Sequence, residues 1–251
     1  MQKIGNRLTK ILNPTIFRIF SGVAILVFIL FTFSSHKHPS EEILSYTVDP
    51  KSNSVKLYWK DAKGNLLGSL QGLKNYVETK KEELLFATNG GMYIENQSPL
   101  GLFIQEGKTL RGLNTGKGKG NFHTMPNGVF YLTADKTAGV CKTGDFVTLN
   151  NIHYATQSGP LLLIAGDIHP AFTKGSQNLN IRNGVGILAD GKIIFAMSKE
   201  GINFYDFAMY FKNLGCKNAL YLDGFVSRTY LPEKNWEQLD GSFGVMIGIA
   251  K

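Results

Sequence analysis

Apolar and polar residues alternate along short stretches over most of this chain. The period is two in stretches such as Ile43–Val48 and 55–59, which is typical of β-strands buried on one side. Further short apolar runs are separated by glycine, asparagine and aspartate, and Asp190 with Gly191 between two of them predicts a hairpin turn. These runs predict strands at residues 84–88, 102–104, 129–132, 146–149, 161–164, 185–188, 192–197, 219–222 and 245–249.

Two segments have a helical period instead. Residues 73–83 predict a short helix, and a second helix is predicted by one apolar stripe with spacings of three and four residues. The stripe consists of Phe204, Phe207, Ala208, Phe211 and Leu214. Gly215 follows where the left-handed residue that ends many helices is expected. The pattern as a whole predicts a single α+β domain, a strand-rich mixed α/β fold, over residues 43–251.

The N-terminal region has a different pattern, because residues 19–33 contain no charged side chain. A helix over residues 19–35 approaches the ~20 residues that span a bilayer, and the basic residues before it favour a cytoplasmic N-terminus. We therefore predict a basic cytoplasmic segment at 1–18, a transmembrane signal anchor at 19–35 and a linker at 36–42. The protein would be a single-pass protein of the inner (cytoplasmic) membrane with a periplasmic or extracellular C-terminal domain. The alternative is secretion after cleavage of a signal peptide, although no small-residue cleavage motif follows the apolar run.

The formal net charge of +8 is concentrated at the N-terminus. Residues 1–40 contain five bases and no acid, so the remaining chain has 22 bases and 19 acids, a net charge of +3. No long basic run in this remainder is available to follow a nucleic-acid backbone. The charge pattern therefore argues against a nucleic-acid partner and for a membrane-bound N-terminus.

Cysteine, histidine, serine and lysine residues, which often take part in metal binding, nucleophilic catalysis or phosphate binding, do not have the spacing of the corresponding motifs in this sequence. Cys141 and Cys216 lack the spacing of a zinc site, and either one disulfide or two free thiols fits the sequence. The five histidines form no motif such as H-E-x-x-H. Ser158 lacks the preceding glycine of a nucleophile elbow, and Lys117 is followed by glycine where a P-loop has serine or threonine.

Polar residues next to glycines recur at the ends of the predicted strands. One such cluster is typical of a turn, but their number predicts a site that holds a polar ligand through side chains and backbone N–H groups. Arg182 has a guanidinium suited to phosphate, with a surface ion pair as the alternative, and Asp223 ends an apolar strand, where a simple turn is the alternative. The clusters lie at residues 88–93, 118–123, 126–130, 155–160, 181–186 and 222–224.

Taken in order, these clusters resemble the motifs of the phosphodiester glycosidase domain family, in its bacterial branch, related to the N-acetylglucosamine-1-phosphodiester α-N-acetylglucosaminidase of animals. The motifs read Asn-Gly-Gly-Met-Tyr, Gly-Asn-Phe-His, Pro-Asn-Gly-Val-Phe, Ala-Thr-Gln-Ser-Gly-Pro, Ile-Arg-Asn-Gly-Val-Gly, Asn-Phe-Tyr-Asp-Phe-Ala and Ala-Leu-Tyr-Leu-Asp-Gly. The resemblance covers about residues 84–248. It implies a phosphodiester glycosidase-like domain that hydrolyses a sugar-1-phosphodiester at its glycosidic bond, releasing a sugar and a phosphomonoester.

The resemblance also implies catalytic roles for Asp223, Arg182 and Asn89. Arg182, helped by Asn89 and by the Gly90 and Gly91 amides, is expected to bind the phosphate. Asp223 is expected to act as the nucleophile, as the base for water or as the electrostatic partner of an oxocarbenium-like carbon. The residues expected to bind or surround the substrate are Gly90, Gly91, His123, Asn127, Gln157, Ser158, Gly159, Asn183, Asn203, Gly224 and Ser227. The sequence requires no cofactor, although Asp223 could help to hold a divalent cation.

Phe225 is the position at which the sequence departs from the family pattern, because relatives usually have glycine or serine after Asp-Gly. A bulky side chain there is expected to narrow or close the site. Two functions therefore remain open from the sequence. One is an exported, membrane-anchored hydrolase of sugar-1-phosphodiesters in envelope or extracellular glycans, and the other is a non-catalytic envelope protein on the same fold that binds a glycan or phosphate.

Overall fold

The computed structural model describes residues 42–146, 151–223 and 226–251. These residues belong to one compact unit of the chain, Pro39–Lys251. The predicted membrane segment at 19–35 and the two residues Gly224 and Phe225 lie outside the described residues. Among the helices that are described, none is long and apolar enough to cross a membrane.

The described residues form sixteen strands, three α-helices and two short 3-10 helices. The strands are β1 (Ile43–Val48), β2 (Val55–Tyr58), β3 (Leu84–Asn89), β4 (Phe103–Gln105), β5 (Lys108–Arg111), β6 (Gly128–Thr133), β7 (Ala138–Lys142), β8 (Ile152–Ser158), β9 (Leu161–Ile164), β10 (Asp167–Ile168), β11 (Asn183–Ile187), β12 (Ile193–Ser198), β13 (Ala219–Asp223), β14 (Thr229–Leu231), β15 (Trp236–Glu237) and β16 (Met246–Ala250). The α-helices are α1 (Leu70–Thr79), α2 (Thr143–Phe146) and α3 (Phe204–Asn213), and the 3-10 helices are Asn121–His123 and Pro232–Lys234.

The strands are arranged in three sheets in which the pairings are antiparallel. The first sheet has the order β1-β12-β11-β13-β9-β10, the second β15-β14-β3-β16-β2 and the third β5-β4-β8-β6-β7. The predicted α+β class, strand-rich with few helices, is thereby confirmed for the described part of the chain. The predicted hairpin is confirmed too, because β11 and β12 pair through Ile187 and Ile193, and Gly191 in the turn has a φ of +83°.

One hydrophobic core lies between the three sheets. Its aromatic centre is a chain of ring contacts from Tyr46 through Phe86 and Phe195 to Phe130, with centroid distances of 4.9, 5.1 and 5.9 Å. These four rings come from β1, β3, β12 and β6, so all three sheets contribute to it. Burial of each phenylalanine stabilises the fold by about 1.5–3 kcal/mol. The sheets are therefore held to each other by apolar contacts that also fix the positions of their polar ends.

The two longer helices begin at side-chain caps. Ser69 Oγ accepts a hydrogen bond from the Gly72 amide at 3.0 Å, so α1 starts and ends earlier than the predicted segment 73–83. In α3 the predicted apolar stripe is confirmed for its central residues, and Gly215 has the expected left-handed φ of +79°. Leu214 is an exception, since it lies beyond the last helical turn and is 41% exposed.

The prediction of a strand at 146–149 is wrong at its first residue, because Phe146 ends the single helical turn α2, and residues 147–149 lie outside the described residues. Strand β8 was not predicted, because its second half is polar although fully buried. The two cysteines are free thiols, which decides between the alternatives left open by the sequence. Burial raises the pKa of both Cys141 and Cys216 to about 11.

Candidate active site

The end of β13 is held by side chains of three segments. Asn183 on β11 lies opposite Asp223, and its Oδ1 accepts a hydrogen bond from the Asp223 amide at 3.0 Å. On the other side, the Ser227 hydroxyl donates to the Asp223 carbonyl at 2.7 Å. Ser158 Oγ donates to the carbonyl of Leu222 at 2.6 Å, one residue earlier. The backbone around Asp223, which is 8% exposed, is thus fixed from three directions.

Asn183 also connects the first sheet to the end of β3 in the second sheet. Its Nδ2 donates to the Asn89 carbonyl at 2.8 Å, to Asn89 Oδ1 at 3.1 Å and to Thr88 Oγ1 at 3.0 Å. Asn89 Oδ1 accepts a second hydrogen bond from the Arg228 amide at 3.0 Å. These two donors fix the orientation of the Asn89 amide group, and its buried Nδ2 finds no acceptor among the described residues. It is an unsatisfied donor in the same hydrogen-bond network as the end of β13.

Arg182 is a buried cation, with only 1% of its surface exposed. Its Nε donates to the Ile202 carbonyl at 2.7 Å, and one Nη donates to the Asn178 carbonyl at 2.9 Å. The guanidinium carbon lies 3.6 Å from the centroid of the Phe204 ring, a cation–π contact. None of the ion pairs between described residues includes Arg182, so the alternative of a surface ion pair is wrong. Burial lowers the pKa of Arg182 from its ordinary value, and the Tyr221 hydroxyl acts in the opposite direction.

Tyr221 joins this cation to the acidic end of β13. Its hydroxyl accepts from Arg182 Nη1 at 3.4 Å, and the side chain of Asn121 acts to lower its pKa. Burial raises the pKa of Tyr221, and the negative charge of nearby Asp223 acts in the same direction. Asp223 raises the pKa of Tyr93 as well, in addition to burial, and the Tyr93 hydroxyl donates to the Ser242 carbonyl. Arg182 and Asp223 therefore belong to one network, and three of its members, Tyr93, Asn121 and Tyr221, were not among the predicted site residues.

Gly90 and Gly91 follow Asn89, and close packing explains both glycines. A Cβ on Gly90 would lie 2.7 Å from Ile247 Cγ1, and a Cβ on Gly91 would lie 2.5 Å from Thr156 Oγ1. The Gly90 amide donates to the Val245 carbonyl at 2.8 Å, so the expectation that it binds a phosphate is corrected.

The structure assigns Gln157 to the protein interior and not to substrate binding. Its Oε1 accepts from the amides of Leu102 at 3.0 Å and Asn114 at 2.9 Å. Its Nε2 donates to the Asn114 carbonyl at 2.7 Å and to Thr143 Oγ1 at 3.2 Å. Because an amide side chain has two donors and two acceptor positions, no hydrogen-bonding capacity remains for a sugar. Gly159 is likewise explained by packing, since its Cβ would lie 2.6 Å from that of Asn127.

Two further predicted residues, Asn127 and Asn203, also have structural partners. Asn127 Nδ2 donates to the Phe122 carbonyl at 2.9 Å, and its Oδ1 accepts from Thr143 Oγ1 at 2.7 Å. Asn203 is the N-cap of α3, with Oδ1 accepting from the Asp206 amide at 2.9 Å. Both residues are buried, and they position the segments that carry Asn121 and Phe204.

His123 is half-buried beside the glycine-rich segment that precedes it. Its Nδ1 lies 3.0 Å from the Gly116 carbonyl, which can only accept, so Nδ1 carries the proton and Nε2 is the basic nitrogen. Among the described residues no group of three or more histidine, cysteine, aspartate or glutamate side chains could hold a metal ion. The divalent cation at Asp223 stays a prediction.

Comparison with known proteins identifies the family. A family model described as phosphodiester glycosidase matches residues 82–246. The chain is also 40% identical to the uncharacterized protein YigE of Escherichia coli (strain K12) over 194 residues, which cover 77% of this chain and 76% of that protein. The chain therefore belongs to the phosphodiester glycosidase family.

Solved structures of low sequence identity share the fold. One is the catalytic domain of zebrafish N-acetylglucosamine-1-phosphodiester alpha-N-acetylglucosaminidase, auto-inhibited by its pro-peptide, with a TM-score of 0.57 at 18% identity over 82% of this chain and 81% of that one. Another is a putative exported protein from Burkholderia pseudomallei K96243, with a TM-score of 0.53 at 12% identity over 82% of this chain and 73% of that one. A hypothetical protein from Synechocystis has a TM-score of 0.51 at 17% identity, over 83% of this chain and 59% of that one.

Proposed function

We propose that this protein is a hydrolase that cleaves sugar-1-phosphodiesters at the glycosidic bond. Membership of the phosphodiester glycosidase family supports this class of reaction. The observation that carries the proposal is the network in which Tyr221 contacts the Arg182 guanidinium and lies in the field of the Asp223 carboxylate. A buried cation and a buried acid that both act on Tyr221 suit a substrate with a phosphate on one side and a developing positive charge on the other.

Arg182 is proposed to bind the phosphate. Three of its five N–H donors are directed at the carbonyls of Asn178 and Ile202 and the hydroxyl of Tyr221, so two donors remain for phosphate oxygens. Because the cation is desolvated, its attraction for a phosphate dianion or diester is stronger than that of an exposed arginine. The unpartnered Nδ2 of Asn89 supplies a further donor.

Asp223 is proposed to act at the anomeric carbon. In the reaction the bond between C1 and the phosphate oxygen breaks, the bonding electrons leave with the phosphate, and water supplies a hydroxyl to C1 and a proton to the products. The phosphate is a good leaving group, so a strong general acid is less important than in ordinary glycosides. Asp223 would either attack C1 as a nucleophile or take the proton of the attacking water, and the two are distinguished by whether the released sugar keeps or inverts its anomeric configuration.

The activity is tested with the full-length protein in a mild detergent. Release of N-acetylglucosamine from UDP-GlcNAc and from the methyl diester of N-acetylglucosamine-1-phosphate is measured for the wild type, Asp223→Asn and Arg182→Ala. We expect each variant to lose about 10²–10⁴-fold in rate. Asp190→Asn, at an exposed hairpin carboxylate, is the matched control and should keep full activity. Binding of these compounds without release by the wild type would instead support a non-catalytic glycan- or phosphate-binding protein.

We further propose that the hydrolase is exported and anchored in the cytoplasmic membrane, where it would act on envelope or extracellular glycans. The apolar segment at 19–35 and its basic flank support this location. Protease added to spheroplasts should digest the C-terminal domain, whereas protection of that domain would contradict the location. An N-terminal sequence of the mature protein separates an anchor from a cleaved signal peptide.

A further inference from the structure

One surface segment of the C-terminal domain, residues 108–119, has four bases and no acid and is here termed the cationic segment. It contains Lys108, Arg111, Lys117 and Lys119, all exposed, and residues 107–134 contain no acid. Residues 41–251 have 22 bases and 19 acids, so removing these four bases leaves 18 against 19, a net charge of −1. None of the ion pairs between described residues includes a member of the segment. Its charge is therefore not neutralised within the described part of the chain.

Hydrogen bonds at Asn114 hold the middle of the cationic segment to the rest of the protein. Gln157 binds both the amide and the carbonyl of Asn114, and Asn114 Nδ2 donates to the Leu100 carbonyl at 3.0 Å. The buried glutamine expected to bind sugar thus holds this segment in place.

The segment ends beside the candidate active site. His123 Nδ1 donates to the Gly116 carbonyl at 3.0 Å, and a Cβ on Gly118 would lie 2.5 Å from atoms of the imidazole ring. Lys117 and Lys119 flank Gly118 and so lie next to His123. Two residues beyond Lys119, the side chain of Asn121 lies near enough to the Tyr221 hydroxyl to lower its pKa, and the same hydroxyl accepts from Arg182 Nη1 at 3.4 Å.

The cations extend outward from this point along β5, which is an edge strand of the third sheet. At about 3.3 Å per residue, Lys108 and Arg111 lie ~10 Å apart. Charged residues on an edge strand also discourage pairing with other chains, which accounts for these two residues. Protection of an edge strand does not account for Lys117 and Lys119, because these two residues lie outside the strand. A role that all four cations can share is to form a binding surface for several negative charges.

We propose that the cationic segment binds phosphate groups of a long anionic substrate, a glycan in which sugar units are joined by phosphodiesters. This inference rests on the proposed function, because the site at Arg182 and Asp223 would cleave one linkage while the segment holds the neighbouring ones. The four cations are spread over a strand and the following loop, whereas a substrate with one diphosphate would occupy only a small part of that length. The segment would thereby favour a polymer over a single-unit phosphodiester.

The test compares two probes with the full-length protein in non-ionic detergent. One is the methyl diester of N-acetylglucosamine-1-phosphate, and the other is an oligomer of N-acetylglucosamine-1-phosphate units joined by phosphodiesters. For Lys117→Ser/Lys119→Ser we expect kcat/KM to fall roughly tenfold for the oligomer at low salt and to stay unchanged for the methyl diester. The wild-type preference for the oligomer should also weaken as salt is raised. Lys63→Ser/Lys217→Ser, which removes the same charge elsewhere on the surface, should behave as the wild type.

Equal kcat/KM for both probes in the wild type would overturn the inference and leave the proposed hydrolysis intact. Equal losses in Lys63→Ser/Lys217→Ser would overturn it too, because only total charge would then matter. If neither probe releases sugar, the proposed hydrolysis fails, and binding of the labelled oligomer is measured by fluorescence anisotropy instead. Binding by the wild type and weaker binding by Lys117→Ser/Lys119→Ser would then support the inference, and equal binding by the two proteins would overturn it. If Lys117→Ser/Lys119→Ser no longer bound anionic phospholipid vesicles but bound the oligomer as the wild type does, the inference would be contradicted. The cationic segment would then be a membrane-facing surface.

A second variant, Lys108→Ser/Arg111→Ser, examines how far the contact extends. Because these residues lie farther along the chain from His123, we expect this variant to reduce kcat/KM for long oligomers more than for dimers. A uniform loss for oligomers of every length would contradict contact along β5.

Discussion

Replacement of Asn183 by alanine tests the network that holds the candidate active site together. Asn183 makes five side-chain contacts, and two of them satisfy buried backbone groups, the Asn89 carbonyl at 2.8 Å and the Asp223 amide at 3.0 Å. The other three partners keep a hydrogen bond when the Asn183 side chain is removed. Ser227 Oγ still donates to the Asp223 carbonyl, and Thr88 Oγ1 still donates to the Arg228 carbonyl. Asn89 Oδ1 still accepts from the Arg228 amide. The cost is therefore dominated by two unsatisfied backbone groups.

At about 1–3 kcal/mol for each unsatisfied buried group, the variant should lose ~2–6 kcal/mol of unfolding free energy. For a chain of this size 1 kcal/mol lowers Tm by about 2–4 °C, so the expected decrease is roughly 5–25 °C. The assay is thermal unfolding of the full-length protein followed by circular dichroism, with Asn53→Ala as the matched control. Asn53 makes one side-chain hydrogen bond, to the Asp49 carbonyl in a partly buried turn, so the loss of stability in Asn53→Ala should be no more than ~1 kcal/mol. A decrease in Tm for Asn183→Ala no larger than that of the control would show that Asn183 does not hold the ends of β3 and β13 together.

Three further predictions concern packing and protonation. Gly90→Ala should cost ~1–3 kcal/mol, because its Cβ would lie 2.7 Å from Ile247 Cγ1, whereas Gly144→Ala, with nothing within 4 Å of its Cβ, should be near neutral in the same thermal assay. With a pKa of about 11, Cys216 should react with iodoacetamide at pH 8 at least ~100-fold more slowly in the folded protein than in urea, and equal rates would contradict its burial. Burial lowers the pKa of His169, so the unfolded chain binds the proton more readily and the free energy of unfolding should fall as pH drops below ~6.5. His169→Gln should make this dependence on pH less steep. An unchanged dependence would show that other groups cause it.

The sheet strands were predictable where apolar side chains form the repeating signal. Strands such as β1 and β9 have the predicted residues because their burial depends on alternation or on a short apolar run. Strand β8 was missed because Thr156, Gln157 and Ser158 are polar, and their burial depends on partners more than forty residues away or on other strands. A local pattern carries no information about such partners.

The polar residues at the strand ends were predictable from the sequence, whereas the division of roles among them was not. Hydrogen bonds join Asn89, Asn183 and Asp223, and each of these residues lies at the end of a strand. Buried polar residues are common both in ligand sites and in structural hydrogen-bond networks, so the sequence does not separate the two. Only the saturated hydrogen bonds of Gln157 reveal that it supports a loop.

Tyr221 was missed although the sequence contains a signal for it. Tyr221 lies only two residues before Asp223 on β13, within the same strand end that the sequence indicated. A large aromatic residue in an apolar strand is usually part of the core, and for that reason it was not singled out. The contact with Arg182 depends on the pairing of β11 with β13, which no local pattern specifies.

The most direct test of the central claim is a structure of the protein bound to N-acetylglucosamine-1-phosphate. The account predicts phosphate oxygens about 3 Å from the Arg182 guanidinium and from Asn89 Nδ2, with the anomeric carbon facing the carboxylate of Asp223. A ligand that binds with its phosphate away from Arg182, or with Asp223 on the far side from the anomeric carbon, would contradict it.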